Sequence, residues 1–227
     1  MQNKLISKDI LSFLKKLKKN NNREWFAEHK SEFKEIQANV KDFYENLKEE
    51  LNTHDEIEKL KMFRIYRDIR FSKDKTPFQY HFAGSFARAG SRLRGGYYLR
   101  IRPDGESFMA CGFWQPEKED LFRIRKELEL DATEFKKIIN EKSFKKAWGE
   151  LKGEELKTAP KGFDKEHEHI ELIRKKGYIF THEFSDSEVT SKTFFDDVST
   201  RFRAIRPFFN LMSDILTTNL NGEPLLD

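Results

Sequence analysis

The chain is poor in the features that mark several common architectures. It carries one cysteine, Cys111, in 227 residues, which excludes an internal disulfide. No stretch approaches the ~20 apolar residues that a membrane span requires, and no membrane partner is expected. The opening residues, MQNKLISKDI, lack an apolar run followed by a small-residue cleavage site, so cytoplasmic residence is the expectation. A glycine-rich phosphate loop, a G-x-S-x-G elbow, a CxxC pair and an H-E-x-x-H helix are all missing, which removes the motif-defined hydrolases, nucleotide-binding loops and zinc proteases. Internal repeats and low-complexity linkers are missing too, and the whole chain, 1–227, reads as one domain.

What is present is charge and phenylalanine. Charged residues make up 36% of the sequence, a fraction that would suit a disordered chain, but 22 phenylalanines spread from end to end supply the large apolar side chains of a packed core. The net charge of +4 is unevenly placed. Residues 61–102 hold eleven Lys or Arg against two Asp or Glu, so this segment carries +9 and the other 185 positions sum to −5. A local basic field on an otherwise acidic chain suits the capture of an anion at one place better than the coating of a membrane or a long duplex.

Periodicity divides the chain. Ser7 is placed to cap a helix through Ile10, Leu14 and Leu17, ended by Asn20–Asn22. Asn21 and Glu24 resemble a capping box for a second helix, whose stripe runs Phe26, His29, Phe33, Ile36, Val40, Phe43, Leu47, Leu51. His29 in that stripe reads as a hydrogen-bonded packing residue. From about 60 to 114 the period becomes two, and Arg102-Pro103-Asp104-Gly105-Glu106 has the composition of a hairpin turn joining the strand before it to Ser107–Trp114. Helices are expected over Lys118–Leu130, near Ala132–Asn140 and near His167–Lys175. The Lys-, Gly- and Pro-rich segment Leu151–Asp164 should wrap the surface, Tyr178–His182 should be the last strand, and a final helix from Phe195 to Leu220 should kink or split at Pro207. The expected fold is α+β, a single domain with an antiparallel sheet covered by helices from the N- and C-terminal parts of the chain.

The densest chemistry lies at Arg64–Lys75, RIYRDIRFSKDK. As a strand, it would point Arg64, Tyr66, Asp68 and Arg70 one way and set Arg67 among Phe63, Ile65, Ile69 and Phe71 on the other. A guanidinium so placed needs a carboxylate or a bound anion, because its five donors cannot stay dry and its charge cannot be shed. Arg64, Arg67, Asp68, Arg70 and Lys73 are therefore the candidate ligand-binding residues, with a phosphorylated or carboxylated small molecule as the candidate partner. Asp74 and Lys75 follow on a turn fixed by Pro77 and are the candidate catalytic pair. A purely structural Arg–Asp network, with Asp68 as the partner of Arg67 or Arg70, is the alternative. Asp68 or Asp74 as base and Tyr80 or His81 as acid would complete a proton-transfer set.

These residues also carry a resemblance. Arg64-x-x-Arg67-Asp68-x-Arg70-Phe71 followed by Asp74-Lys75 is similar to the defining motif of the DUF2461 family. Asn22-Arg23-Glu24-Trp25-Phe26, Gly95-Gly96-Tyr97-Tyr98, Gly112-Phe113-Trp114-Gln115-Pro116 and Ala159-Pro160-Lys161-Gly162-Phe163 agree in the same order. The resemblance implies a shared fold along nearly the whole chain and no mechanism. One departure is Phe78, where the family pattern usually has tyrosine.

Two further readings remain. Arg88, Arg92, Arg94, Arg100 and Arg102, interleaved with Tyr97 and Tyr98, can form a charged, stacking surface for single-stranded nucleic acid. A protein-interaction scaffold is the third class. His167 and His169 with Glu166, Glu168 and Glu171 read as exposed residues at a helix start, so no metal or cofactor is expected. Cys111, on a predicted strand, reads as a buried, inert thiol.

Overall fold

The computed structural model describes residues 4–225. In chain order the elements are α1 (Lys8–Lys19), α2 (Arg23–Glu28), α3 (Lys30–Leu51), β1 (Ile57–Met62), β2 (Phe82–Arg88), β3 (Gly96–Ile101) and β4 (Ser107–Phe113). They continue with α4 (Lys118–Leu130), α5 (Thr133–Asn140), α6 (Lys142–Trp148), α7 (Ile170–Ile173), β5 (Tyr178–Phe184), α8 (Asp186–Val189), α9 (Phe194–Ala204) and α10 (Arg206–Thr217). The strands form one antiparallel sheet in the order β1-β2-β3-β4-β5, and helices from both ends of the chain cover it, giving an α+β fold.

By internal packing the chain divides into two compact units. The first comprises the residues up to Phe86, Tyr98–Met109 and Glu183–Thr200. Here α3 lies on the sheet through Tyr44, whose hydroxyl donates to Leu99 O at 2.9 Å and whose ring stacks on Phe86. Gly84 makes this approach possible, since a Cβ there would sit 2.8 Å from the Tyr44 ring. Phe43 adds contacts to Phe194 and Phe195, so residues far apart in sequence share one aromatic cluster. Each fully buried ring of this kind contributes on the order of 2–3 kcal/mol. The hairpin turn at Arg102–Glu106 has left-handed backbone at Asp104 (φ 68°) and Gly105 (φ 72°), the pairing that a two-residue hairpin turn requires. Its tip is held by Lys18 on Asp104 (2.6 Å) and by Gly105 N donating to Asp186 (2.9 Å).

The second unit comprises Ala87–Tyr97, Ala110–His182 and the residues from Arg201 onward. Phe208 and Phe209 of α10 pack on Tyr97, Phe113 and Phe180, which covers this part of the sheet from the C-terminal side. Gly112 has φ 125° and would place a Cβ 2.2 Å from Tyr178 O, so the β4–β5 contact admits only glycine there.

Several expectations change. The apolar stripe from Phe26 to Leu51 is carried by two helices, broken at His29, whose Nδ1 lies 2.8 Å from Trp25 O and whose ring stacks on Trp25 at 3.9 Å. The cap of α2 is Asn22, which accepts from Trp25 N, and not Asn21. The helix near His167–Lys175 shrinks to the single turn α7, and α6 forms where no helix was anticipated. The segment after Leu151 is tied down by bridges from Lys152 to Ile179 and from Glu155 to Lys175. The last helix does split as expected, into α9 and α10 at Ile205, with Pro207 in the first turn of α10, where its missing N–H costs nothing.

Candidate functional site

Residues 63–81 are not a strand. They form an irregular loop between β1 and β2 whose base is closed by a short ladder: Gln79 N donates to Ile65 O at 2.6 Å, Arg67 N donates to Pro77 O at 2.9 Å, and Tyr66 pairs with Phe78. The expected two-faced strand is thereby corrected, because β-pairing needs a partner and only residues 65–67 have one. The side chain of Asn21 clamps the ladder to the start of α2. Its Nδ2 donates to Phe78 O (2.9 Å) and its Oδ1 accepts from Phe78 N (3.1 Å). The Phe78 ring is buried and stacks on Phe26 at 4.1 Å, so the position that departs from the family tyrosine is a core position here.

Within the loop the charged side chains pair among themselves. The Arg67 side chain is 19% exposed and bonds Asp74, the Thr76 hydroxyl and, at 3.4 Å, the Ser72 hydroxyl. The carboxylate that satisfies Arg67 is therefore Asp74. Asp68 instead meets Arg70 in solvent, with Arg70 Nη2 donating at 2.6 Å. The expected division, with Asp68 internal and Asp74 free to reach a ligand, is reversed on this point. Asp74 also accepts from Thr76 N at 2.9 Å, and that backbone bond, then Arg67 and the Thr76 hydroxyl, hold its carboxyl down at about 2. Lys75 Nζ donates to Ile69 O at 3.0 Å. Arg64, Arg67 and Arg70 do not share partners or a cavity: Arg64 and Arg70 are exposed, Arg64 lines a different cavity from Arg67, Arg70 pairs with Asp68, and Lys73 is exposed, as is Phe71 at 96%.

The loop instead shapes two cavities. One, of about 300 Å³, lies between the loop and the α2–α3 corner. Arg23, Lys30 and Arg67 stand around a floor of Phe26, Tyr66, Pro77 and Phe78, and no carboxylate lines it. Arg23 and Lys30 make no hydrogen bond or ion pair among the described residues. Sequence reasoning missed both as site residues; the only signal was Arg23 in the Asn22–Phe26 motif. The second cavity, of about 330 Å³, lies against the sheet and is lined by Phe63, Arg64, Tyr66, Gln79, His81, Ala83 and Tyr98. Burial, with Arg100 and Arg102 nearby, lowers His81 to about 4, so this imidazole is neutral at pH 7. Tyr80 is occupied by Arg102, which bonds its hydroxyl and lies 4.3 Å from its ring centroid.

The other expected surface residues separate. Tyr97 and Arg88 are buried, and Arg88 donates to Arg94 O at 2.6 Å and to the Ser213 hydroxyl at 3.2 Å. Arg94 is paired with Asp120. Tyr98, Arg100 and Arg102 occupy the opposite, half-exposed face of β3 and its turn. Cys111 is buried and its thiol is pushed well up by desolvation, as an inert core thiol should be. His169 Nδ1 lies 2.8 Å from Lys136 Nζ, and no group of three or more His, Cys, Asp or Glu able to hold a metal occurs among the described residues.

The sequence model of the family described as conserved hypothetical protein (DUF2461) matches residues 9–210. No curated protein and no solved structure matches the chain.

Proposed function

This chain belongs to the DUF2461 family, and we propose that it binds an anionic small molecule, phosphorylated or carboxylated, in the cavity bounded by Arg23, Lys30 and Arg67. The observation that carries this reading is the convergence there of two sequence motifs forty residues apart. Asn22–Phe26 supplies Arg23 and Phe26, and the arginine motif supplies Tyr66 and Arg67. Two cations without internal partners stand over an aromatic floor that includes Tyr66, itself 55% exposed. Such an arrangement suits a ligand with a negatively charged group on an apolar or planar body. Arg67, oriented by Asp74 and Thr76, is a pre-ordered wall. Asp74 and Lys75, the expected reaction pair, act in this reading as positioning groups that fix the loop.

The test is a thermal-shift screen of phosphosugars, dicarboxylates and nucleotides against the parent and against Arg23→Ala and Lys30→Ala. An anion that raises the melting temperature of the parent and fails to do so in either variant supports the reading. If no anion shifts the parent, or if the shift persists in both variants, the cavity is a packing feature of the loop.

A further inference from the structure

The face of the sheet opposite α3 keeps exposed or half-buried side chains along β1–β4 within the first unit, and its composition is not that of an ordinary solvated surface. Three aromatic rings lie in a row across it. Phe63, just past β1, is 6.2 Å from Tyr98 on β3, and Tyr98 is 5.4 Å from Phe108 on β4, centroid to centroid. The rings are tilted at 56° and 36°, so they do not cover one another's faces. Between them β2 presents only Ala83 and Ser85, leaving the row unobstructed. Phe63 is 43% exposed, and Tyr98 and Phe108 are half-exposed.

Cations frame the rings. Lys61 Nζ lies 5.5 Å from the Phe63 centroid, and the Arg100 guanidinium lies 4.3 Å from that of Phe108. Arg64 lines the 330 Å³ cavity together with Phe63 and Tyr98; it makes no hydrogen bond or ion pair among the described residues, although its charge helps to hold the Asp68 carboxyl down. The carboxylates near these cations are already paired, Glu106 with Arg102 at 3.0 Å and Asp68 with Arg70 at 2.6 Å. Gln79 and His81 complete the cavity with an amide and an imidazole.

We propose that this open sheet face binds single-stranded nucleic acid, with Phe63, Tyr98 and Phe108 as stacking rings and Lys61, Arg64 and Arg100 as phosphate contacts. Bases stack on exposed rings whatever their identity, and a cationic frame tracks the backbone that joins them. A duplex keeps its bases paired and cannot use the rings, and an apolar protein partner would be met by three cations. The charge therefore selects a polyanion and the rings select unpaired bases. This proposal is independent of the anion cavity on the other side of Tyr66.

Fluorescence anisotropy with a short labelled oligo(U) tests it. The affinity should fall steeply between about 50 and 200 mM salt. Tyr98→Ala should weaken binding about tenfold, and Tyr98→Phe, which keeps the ring, should bind like the parent. Phe63→Ala, at the most exposed ring, should also weaken binding, which keeps the test usable if Tyr98→Ala fails to fold. Arg64→Ala and Arg100→Ala should each reduce the salt slope by about one. Absence of binding at low salt would overturn the proposal. So would equal affinity for a duplex or for polyglutamate, equal affinity for UMP and the oligomer, or salt-dependent binding that Tyr98→Ala and Phe63→Ala leave unchanged.

Discussion

Arg67 decides how the motif loop is held, because its guanidinium faces inward and must be satisfied where it lies. Asp74 does this together with Thr76, and the cost of that arrangement falls on the loop and not on the core. Asp74→Ala should therefore leave the global melt nearly intact while accelerating amide exchange at Arg67 and Gln79, the donors of the ladder. Asp68→Ala, which removes only a solvent-facing partner of Arg70, should leave that exchange unchanged. The carboxyl of Asp74 is held at about 2, below its unfolded value of about 3.9, so its contribution is complete above pH ~4 and is lost as pH falls through about 2. The Thr76 amide shift, followed by NMR, should report that midpoint. His81 gives a pH dependence of the same sign, but here it is the neutral form that the fold favours. Its folded value of about 4 lies below the unfolded 6.5, so the unfolded chain takes up the proton first and stability falls as pH drops from about 6.5 to 4. His81→Gln should remove up to on the order of 2 kcal/mol of that slope in denaturant melts at pH 7 and pH 4.5.

At the scale of elements, the anchoring contacts are few and specific. Asn21 ties α2 to the loop through two bonds to one residue, so Asn21→Ala should cost about 1–2 kcal/mol in urea melts and enlarge the exchange rates of the ladder. In the second unit Gly112 is a point of close approach between β4 and β5. Gly112→Ala combines a disfavoured φ with a clash against the Tyr178 carbonyl and should cost about 2–4 kcal/mol, far more than a glycine replacement at an open turn such as Gly105. The hairpin at Asp104–Gly105 and the helix α4 over Lys118–Leu130 were legible from sequence because their determinants are local: turn chemistry in five residues, and an apolar repeat with Pro116 before it. The break at His29 was not legible. The apolar stripe runs through it without interruption, and only the contact of His29 with Trp25 marks the end of α2.

For the whole molecule, linkage between ligand binding and folding gives the proposed anion site its clearest signature. A ligand that binds only the folded state stabilises it by RT ln(1 + [L]/Kd), about 2.7 kcal/mol at a hundredfold excess over Kd. The melting temperature should therefore rise with the logarithm of ligand concentration and lose that dependence in the Arg23→Ala, Lys30→Ala double variant. Among the described residues no helix is long and apolar enough to cross a membrane.

The sequence by itself determined the α+β class, the order and near-bounds of β2 to β5 and of α1 and α4, and the concentration of positive charge in residues 61–102, because periodicity, turn residues and composition act over a few positions at a time. It also marked the arginine motif as unusual. Which partners those arginines meet was settled only in three dimensions. Nothing in RIYRDIRFSKDK distinguishes Asp68 from Asp74 as the mate of Arg67. That choice follows from the chain reversing to pair 65–67 with 77–79, and from Asn21, more than fifty residues away, holding the reversal in place. Arg23 and Lys30 reach the same cavity for the same reason, since convergence of side chains from distant segments is a property of packing and leaves no spacing to read.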